Sequence, residues 1–281
     1  MIKVNNLSFS YTKKPFIEAL SFEINKGEIF GFLGPSGAGK STLQKILTGV
    51  LSGYHGEVLV NDIEVKTADK AFYEKIGVDF EFPSLYEKLT AKQNLDFFAS
   101  LYPKFRDIEA LLTSVDLAFN QHKKVMHYSK GMKSRLNFIK ALVHDPDVLF
   151  LDEPTSGLDP TNARMMKDII LEEKRKGKTI ILTTHNMHDA AELCDRVAFI
   201  VDGAIRALDT PRNLIMSKGA TKISYTYLNS DQENSKTIHL NETNKDDQLI
   251  ALIKANKLRS IHSSEPTLND IFVEVTGRTL L

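Results

Sequence analysis

The chain has 281 residues, enough for one large domain or one domain with an appendage, and its 42% hydrophobic content lets it bury a core. Lysine plus arginine and aspartate plus glutamate both number 36, so the net charge is zero and no nucleic-acid partner is expected. The longest apolar runs, such as Val197 to Val201, fall far short of the roughly 18 to 20 residues that cross a bilayer.

Met1 to Asn6 lacks a charged-then-apolar signal pattern, and the single Cys194 has no internal disulfide partner, so a reducing cytosol is expected. Cys194 reads as a small packing residue near a helix end. The lysine clusters at 13–14, 123–124 and 174–178 are short enough to be solvated faces.

Ile2 to Ile29 alternates apolar and polar residues, with turns at Tyr11 to Pro15 and at Asn25-Lys26-Gly27, which predicts antiparallel strands. Glu28 to Leu33 reads as a buried strand. Directly after it, residues 34–42 read GPSGAGKST, the full pattern of a phosphate-binding loop. Gly34, Gly37 and Gly39 let successive backbone N–H groups turn toward a polyphosphate. Lys40 supplies a charge for the β- and γ-phosphates and Ser41 a hydroxyl for Mg²⁺, while Leu43, Ile46 and Leu47 start a helix whose N-terminus favours anions. The predicted nucleotide cradle is therefore Gly34, Pro35, Ser36, Gly37, Ala38, Gly39, Lys40, Ser41 and Thr42.

Glu57 to Val60 is the next predicted strand. From about Leu89 to His144 the apolar period becomes helical, marking a helical insertion. Val148 to Leu151 and Thr179 to Leu182 are continuous apolar runs, as buried parallel strands are, with an amphipathic helix from about Asn162 to Lys176 between them. The first of these runs ends in Asp152 and Glu153, at the strand end where open α/β sheets bind ligands. Asp152 is placed to hold Mg²⁺ and Glu153 to orient or deprotonate the attacking water. Ser156-Gly157-Leu158-Asp159-Pro160 follows, and Thr183-Thr184-His185 closes the next strand.

After about Met216 the composition becomes polar. Ile223 to Leu228 alternates like a strand and Gln248 to Lys257 like a short helix. The predicted architecture is α/β: a phosphate-loop NTPase core over residues 1–217, with an antiparallel β subdomain and a helical insertion at about 89–144, and a small C-terminal α+β domain over 218–281.

The order GPSGAGKS, then Tyr128-Ser129-Lys130-Gly131-Met132, then LFLDEP, SGLDP and TTH resembles the ATP-binding subunit of a bacterial ABC transporter, from Met1 to about Met216. Five motifs in this order are highly specific. The resemblance implies an ATPase that uses ATP and Mg²⁺, pairs with a second copy of itself around two ATP molecules, and drives a separate transmembrane permease from the cytoplasmic side of the membrane. It implies that Tyr11 stacks on adenine, that Ser129 and Gly131 cap the γ-phosphate held by the opposite copy, and that His185 contacts the γ-phosphate. It gives Asp159 the link between the two ATP sites and puts Glu81 where the family usually has a glutamine that touches Mg²⁺ and senses the permease. Ser129 also has a local reading as the N-cap of a helix from Met132 to Leu142.

Two departures stand out. The signature reads YSKGM where the family has LSGGQ, so Lys130 and Met132 replace a glycine and a glutamine. Glu81 adds a negative charge near metal and phosphate. The segment from Phe80 to Phe105 is dense in aromatics, half of them expected as core of the insertion and the rest as a groove for a permease helix. The tail from Glu265 to Arg278 resembles that of export-type subunits. The rival reading is a soluble ABC ATPase working on ribosomes, DNA or cluster assembly without a permease. Those acting on ribosomes usually carry two cassettes in one chain with a charged linker, whereas this chain has one cassette and no net charge. A binding module without turnover would not need Lys40, Asp152, Glu153 and His185 together.

Overall fold

A computed structural model of the chain describes residues 1–217, 222–229 and 232–278. Two compact units divide between Leu208 and Asp209. The first runs β1 (Ile2–Phe9), β2 (Ile17–Ile24), β3 (Ile29–Leu33), α1 (Lys40–Leu47), β4 (His55–Val60), β5 (Ile63–Glu64), α2 (Lys70–Tyr73) and β6 (Ile76–Asp79). It continues through α3 (Ala91–Ala99), α4 (Ile108–Ser114), α5 (Lys130–Leu142), β7 (Val148–Asp152), α6 (Pro160–Arg175), β8 (Thr179–Thr184), α7 (Met187–Leu193), β9 (Arg196–Val201) and β10 (Ala204–Asp209).

The alternating strands form a four-stranded sheet in the order β2-β1-β4-β5, antiparallel throughout. Alternation buries one face and wets the other: Ile2, Val4, Leu7 and Phe9 of β1 are buried while Asn5 and Asn6 are exposed. The continuous apolar runs instead form a six-stranded sheet, β10-β9-β3-β8-β7-β6, in which β3 pairs in parallel with β8 and β9, and β7 with β8 and β6. Every residue of β3, β7 and β8 is buried, as strands covered on both faces must be. One core joins the two sheets through Phe22, Phe30 and Phe32, whose ring centroids lie 5.1–6.2 Å apart, and through Leu43, Ile46 and Leu47 of α1.

The helical insertion resolves into α3, α4 and α5. Each begins at a side-chain cap: Thr90 with a reciprocal Gln93 box, Asp107, and Ser129, whose hydroxyl accepts the Met132 N–H at 3.2 Å. Arg106, just before α4, anchors the insertion to the core. Its Nη1 donates to Glu173 of α6 at 2.8 Å and its Nε to Asp145 at 2.9 Å. Burial alone would raise the Asp145 carboxyl, but hydrogen bonds from Lys178 and Arg106 outweigh it and hold it at about 2.

The second unit holds α8 (Pro211–Met216), β11 (Lys222–Asn229), β12 (Gln232–His239), α9 (Asp247–Lys254), β13 (Leu258–Ser264) and α10 (Leu268–Thr276). Its sheet has the order β12-β11-β13, antiparallel at both pairings. Tyr225 of β11 is fully buried and donates its hydroxyl to Asp246, the N-cap of α9, at 3.1 Å. The strand expected at Ile223 to Leu228 and the helix expected from Gln248 are both present. β12 lies in the stretch that reads only as polar in sequence. It is a strand because its backbone pairs residue for residue with β11, from Lys222↔His239 to Asn229↔Gln232. The junction expected at 217/218 adjoins residues 218–221, which lie outside the described residues, as do 279–281 at the end of the tail; α8 clusters with the second unit.

The Glu173 side chain is only 2% exposed. Arg106→Ala leaves it with Lys176 at 3.0 Å and Lys178 at 4.0 Å. Denaturant unfolding is expected to show a loss of about 2–4 kcal/mol, and an unchanged midpoint would mean that the lysines suffice.

Candidate functional site

The loop between β3 and α1 lies against β9. A Cβ on Gly34 would stand 2.2 Å from the Ile200 carbonyl oxygen, so only glycine permits this approach. Gly39, at φ +110°, turns the chain into α1, whose first residue is Lys40. The Lys40 side chain is buried and folds back on its own loop, donating to the carbonyls of Gly34 at 2.6 Å and Pro35 at 3.1 Å. Burial lowers the pKa of its ammonium, while the carboxylates of Glu153, Asp152 and Glu81 pull it the other way. A cavity of about 250 Å³ is lined by residues 36–42 of the loop together with Phe16, Glu81, Asp152, Glu153 and His185. The predicted loop, both strand-end carboxylates, the histidine and Glu81 are thus brought to one place.

Sheet register positions the acids. Asp152 ends β7 opposite Thr183 of β8 and accepts that residue's hydroxyl. Glu153 follows in the left-handed region at φ +52°, uncommon for a residue with a side chain, and is held there by its N–H bond to the Thr183 carbonyl at 3.0 Å. The turn brings its carboxylate to the end of β8. Oε1 accepts the His185 backbone N–H at 2.9 Å and lies 2.7 Å from His185 Nδ1, and Oε2 accepts the Thr184 hydroxyl at 3.2 Å. Thr183 and Thr184 appear in sequence only as the strand end before His185. Their bonding to the two acids is set by pairing of β7 with β8, and no local signal announces it.

The other predicted residues fall around this cavity. Tyr11 is exposed, packs edge-on to Phe9 at 4.8 Å and lies 5.7 Å from Phe16, and its hydroxyl is 2.9 Å from Thr42 Oγ1. It borders an adjoining hollow with Thr12, Lys14, Pro15, Phe16 and Asp202. Asp159 caps α6, accepting the N–H groups of Thr161 and Asn162 at 3.1 Å each; the Asn162 amide and these bonds lower its pKa. Ser129, Gly131 and Asp159 are not among the residues lining the Lys40 cavity. A Cβ on Gly131 would touch Leu158 at 3.4 Å, and Lys130 reaches over Gly157, so the signature and the SGLDP segment pack together within one copy.

Asp79, at the end of β6, is a buried carboxyl that the sequence alone does not single out. Burial pushes it up to about 7, against Lys140 and a hydrogen bond from Asn137 that favour the charged form.

Comparison with known proteins bears on this geometry. The family model for ABC transporters matches residues 17–156. A fluoroquinolones export ATP-binding protein of Mycobacterium tuberculosis is 47% identical, with all of this chain and 94% of the relative aligned. The chain belongs to the ATP-binding subunits of ABC transporters. The linearmycin resistance ATP-binding protein of Bacillus subtilis is 32% identical over 100% of this chain and 99% of its own length, and the Nod factor export ATP-binding protein of Rhizobium meliloti 33% over 99% and 89%. A solved ATP-binding subunit of an ABC transporter superposes with TM-score 0.72 and 28% identity, covering 78% of this chain and 93% of its own. A dimeric ATP-binding cassette bound to ADP and phosphate shares the fold, with TM-score 0.68 and 23% identity over 75% and 98%. This ABC subunit is an export-type ATPase. Among its described residues no helix is long and apolar enough to cross a membrane.

The folded Asp79 carboxyl keeps its proton to about pH 7, whereas an unfolded one loses it near 3.8. Between those values the folded ABC subunit binds more protons than the unfolded chain, so stability falls as pH rises through this window and levels off above it. Asp79→Asn is expected to abolish that fall when melting is compared at pH 5 and pH 8. An identical slope in the variant would contradict the assignment.

Proposed function

We propose that two copies of this subunit close on two ATP molecules and drive export through a separate membrane-spanning permease, from the cytoplasmic side. The observation that carries this reading is the incomplete cavity. Lys40, Asp152, Glu153 and His185 line it, whereas Ser129 and Gly131 at the start of α5 do not. A facing copy would bring its own α5 N-terminus, with the dipole and N–H groups that favour phosphate, to each site, and two-fold symmetry would satisfy both at once.

In this scheme Lys40 leaves the Gly34 and Pro35 carbonyls for the β- and γ-phosphates, and Tyr11 receives the adenine on its ring. Ser41, Asp152 and Glu81 supply an all-oxygen set on one cavity, the donor chemistry that Mg²⁺ takes. Once bound, that ion would neutralise charge on the phosphates. Glu153 would orient a water and accept its proton as the oxygen attacks the γ-phosphorus, with ADP leaving. His185, already bonded to Glu153, would hold that carboxylate and meet the γ-phosphate. Asp159 would report between the two sites through α6, which it caps. Lys130 and Met132 leave Ser129 and Gly131, the phosphate contacts of the signature, in place.

The permease would dock beside the Glu81 loop. Phe82 is 80% exposed and Tyr86, Phe97 and Phe105 are exposed, whereas Phe80, Phe98 and Tyr102 are half-buried. Tyr86 packs on Phe97 at 5.0 Å, making a ridge in which a partner helix could bury its apolar face. Since the permease contacts the cargo, the Mycobacterium tuberculosis relative makes fluoroquinolones the first compounds for an export assay.

Glu153→Gln is expected to bind ATP, to hydrolyse it at least about a hundredfold more slowly and to elute as a dimer with ATP on a sizing column. A variant with full turnover, or one that stays monomeric with ATP, refutes the scheme. The single native cysteine, Cys194, is buried and its thiol pKa is raised by that burial, so a Tyr86→Cys variant carries one reactive thiol. It should crosslink to the permease in membranes, and absence of an adduct during turnover counts against docking there.

A further inference from the structure

One buried side chain outside the cavity touches both ends of the loop that carries Glu81. Asn137 of α5 is 2% exposed. Its Nδ2 donates to the Asp79 carboxyl oxygen at the start of the loop and to the Phe80 carbonyl at 3.2 Å. Its Oδ1 accepts the Ser84 N–H at 3.2 Å and the Lys140 ammonium at 2.7 Å. Lys140 also donates to the Ser84 carbonyl at 3.0 Å, with its ammonium 5.1 Å from the Phe98 ring centre. Every donor and acceptor of the Asn137 amide is therefore in use, and residues 80–84 are bracketed from one helix.

That helix is the one Ser129 caps. At about 1.5 Å rise per residue, Asn137 lies roughly 12 Å along α5 from its N-cap. The helix is unbroken from Lys130 to Leu142, so its capped N-terminus and the bracket belong to one hydrogen-bonded element. We propose that Asn137, assisted by Lys140, is a positioning residue that locks the Glu81 loop to α5, so that seating the start of α5 on the facing copy's ATP sets Glu81 in its own site. The role rests on the proposed place of Glu81 in the oxygen set of the Lys40 cavity.

A double-mutant cycle on the full chain tests it. Asn137→Leu keeps the volume and deletes the amide; it is expected to lower kcat about tenfold with the KM for ATP within about twofold. Glu81→Ala should lower kcat by a similar factor. The double variant should turn over no more slowly than the slower single one, because a bracket has nothing to position once Glu81 is gone. Lys140→Met, which leaves Asn137 and Asp79 in place, should behave likewise and decides the matter if Asn137→Leu fails to fold by its melting temperature. Multiplicative losses, near a hundredfold in the double variant, overturn the bracket alone and leave the place of Glu81 standing. Wild-type turnover in Glu81→Ala overturns both.

Discussion

The Lys40 cavity depends on a close approach of two backbones. The Ile200 carbonyl of β9 occupies the space where a side chain on Gly34 would begin, so the phosphate loop can lie against the sheet only because that residue has none. A second approach, of Gly203 to the Phe16 carbonyl, sets Phe16 against the cavity wall in the same way. With the loop seated, Lys40 is buried against its own carbonyls and faces three carboxylates. An amine taken from water in this manner needs such partners, since burial without them favours its neutral form.

The parallel sheet performs the rest of the convergence. β3 lies between β8 and β9, and β7 pairs on the far side of β8. The carboxyl ends of β3, β7 and β8 therefore open onto the same crevice. Register then determines which hydroxyl meets which acid, and the left-handed turn at Glu153 swings that carboxylate across to His185. The acid and the histidine hold one another, Glu153 Oε1 accepting the His185 backbone N–H and lying 2.7 Å from its Nδ1.

The helical insertion joins this sheet by the packing of α5 on β6 and by polar bonds. Arg106 pins it to Glu173 and Asp145, and Asn137 pins α5 to the loop that leaves β6. Directional hydrogen bonds at these joints define an orientation that non-directional apolar contact would leave loose. The Asn137 joint ties the loop that leaves β6 to the helix whose N-terminus carries the Ser129 segment.

Much of this was legible along the chain. The phosphate loop, the strand-end acids, the Ser129 cap and the continuous runs of β7 and β8 each depend on neighbours within a few positions, where glycine geometry, capping and period act directly. β12 was not legible, because a polar strand is defined by the partner it pairs with. Nor were the bonds of Asn137 to Asp79, 58 positions away, or of Glu153 to His185, 32 positions away. The linear order of residues by itself determined the chemical parts and the elements that bear them, since those follow from local backbone preference and apolar spacing. Only the tertiary structure decided which parts touch, because strand order and register bring together groups whose separation along the chain carries no record of the encounter.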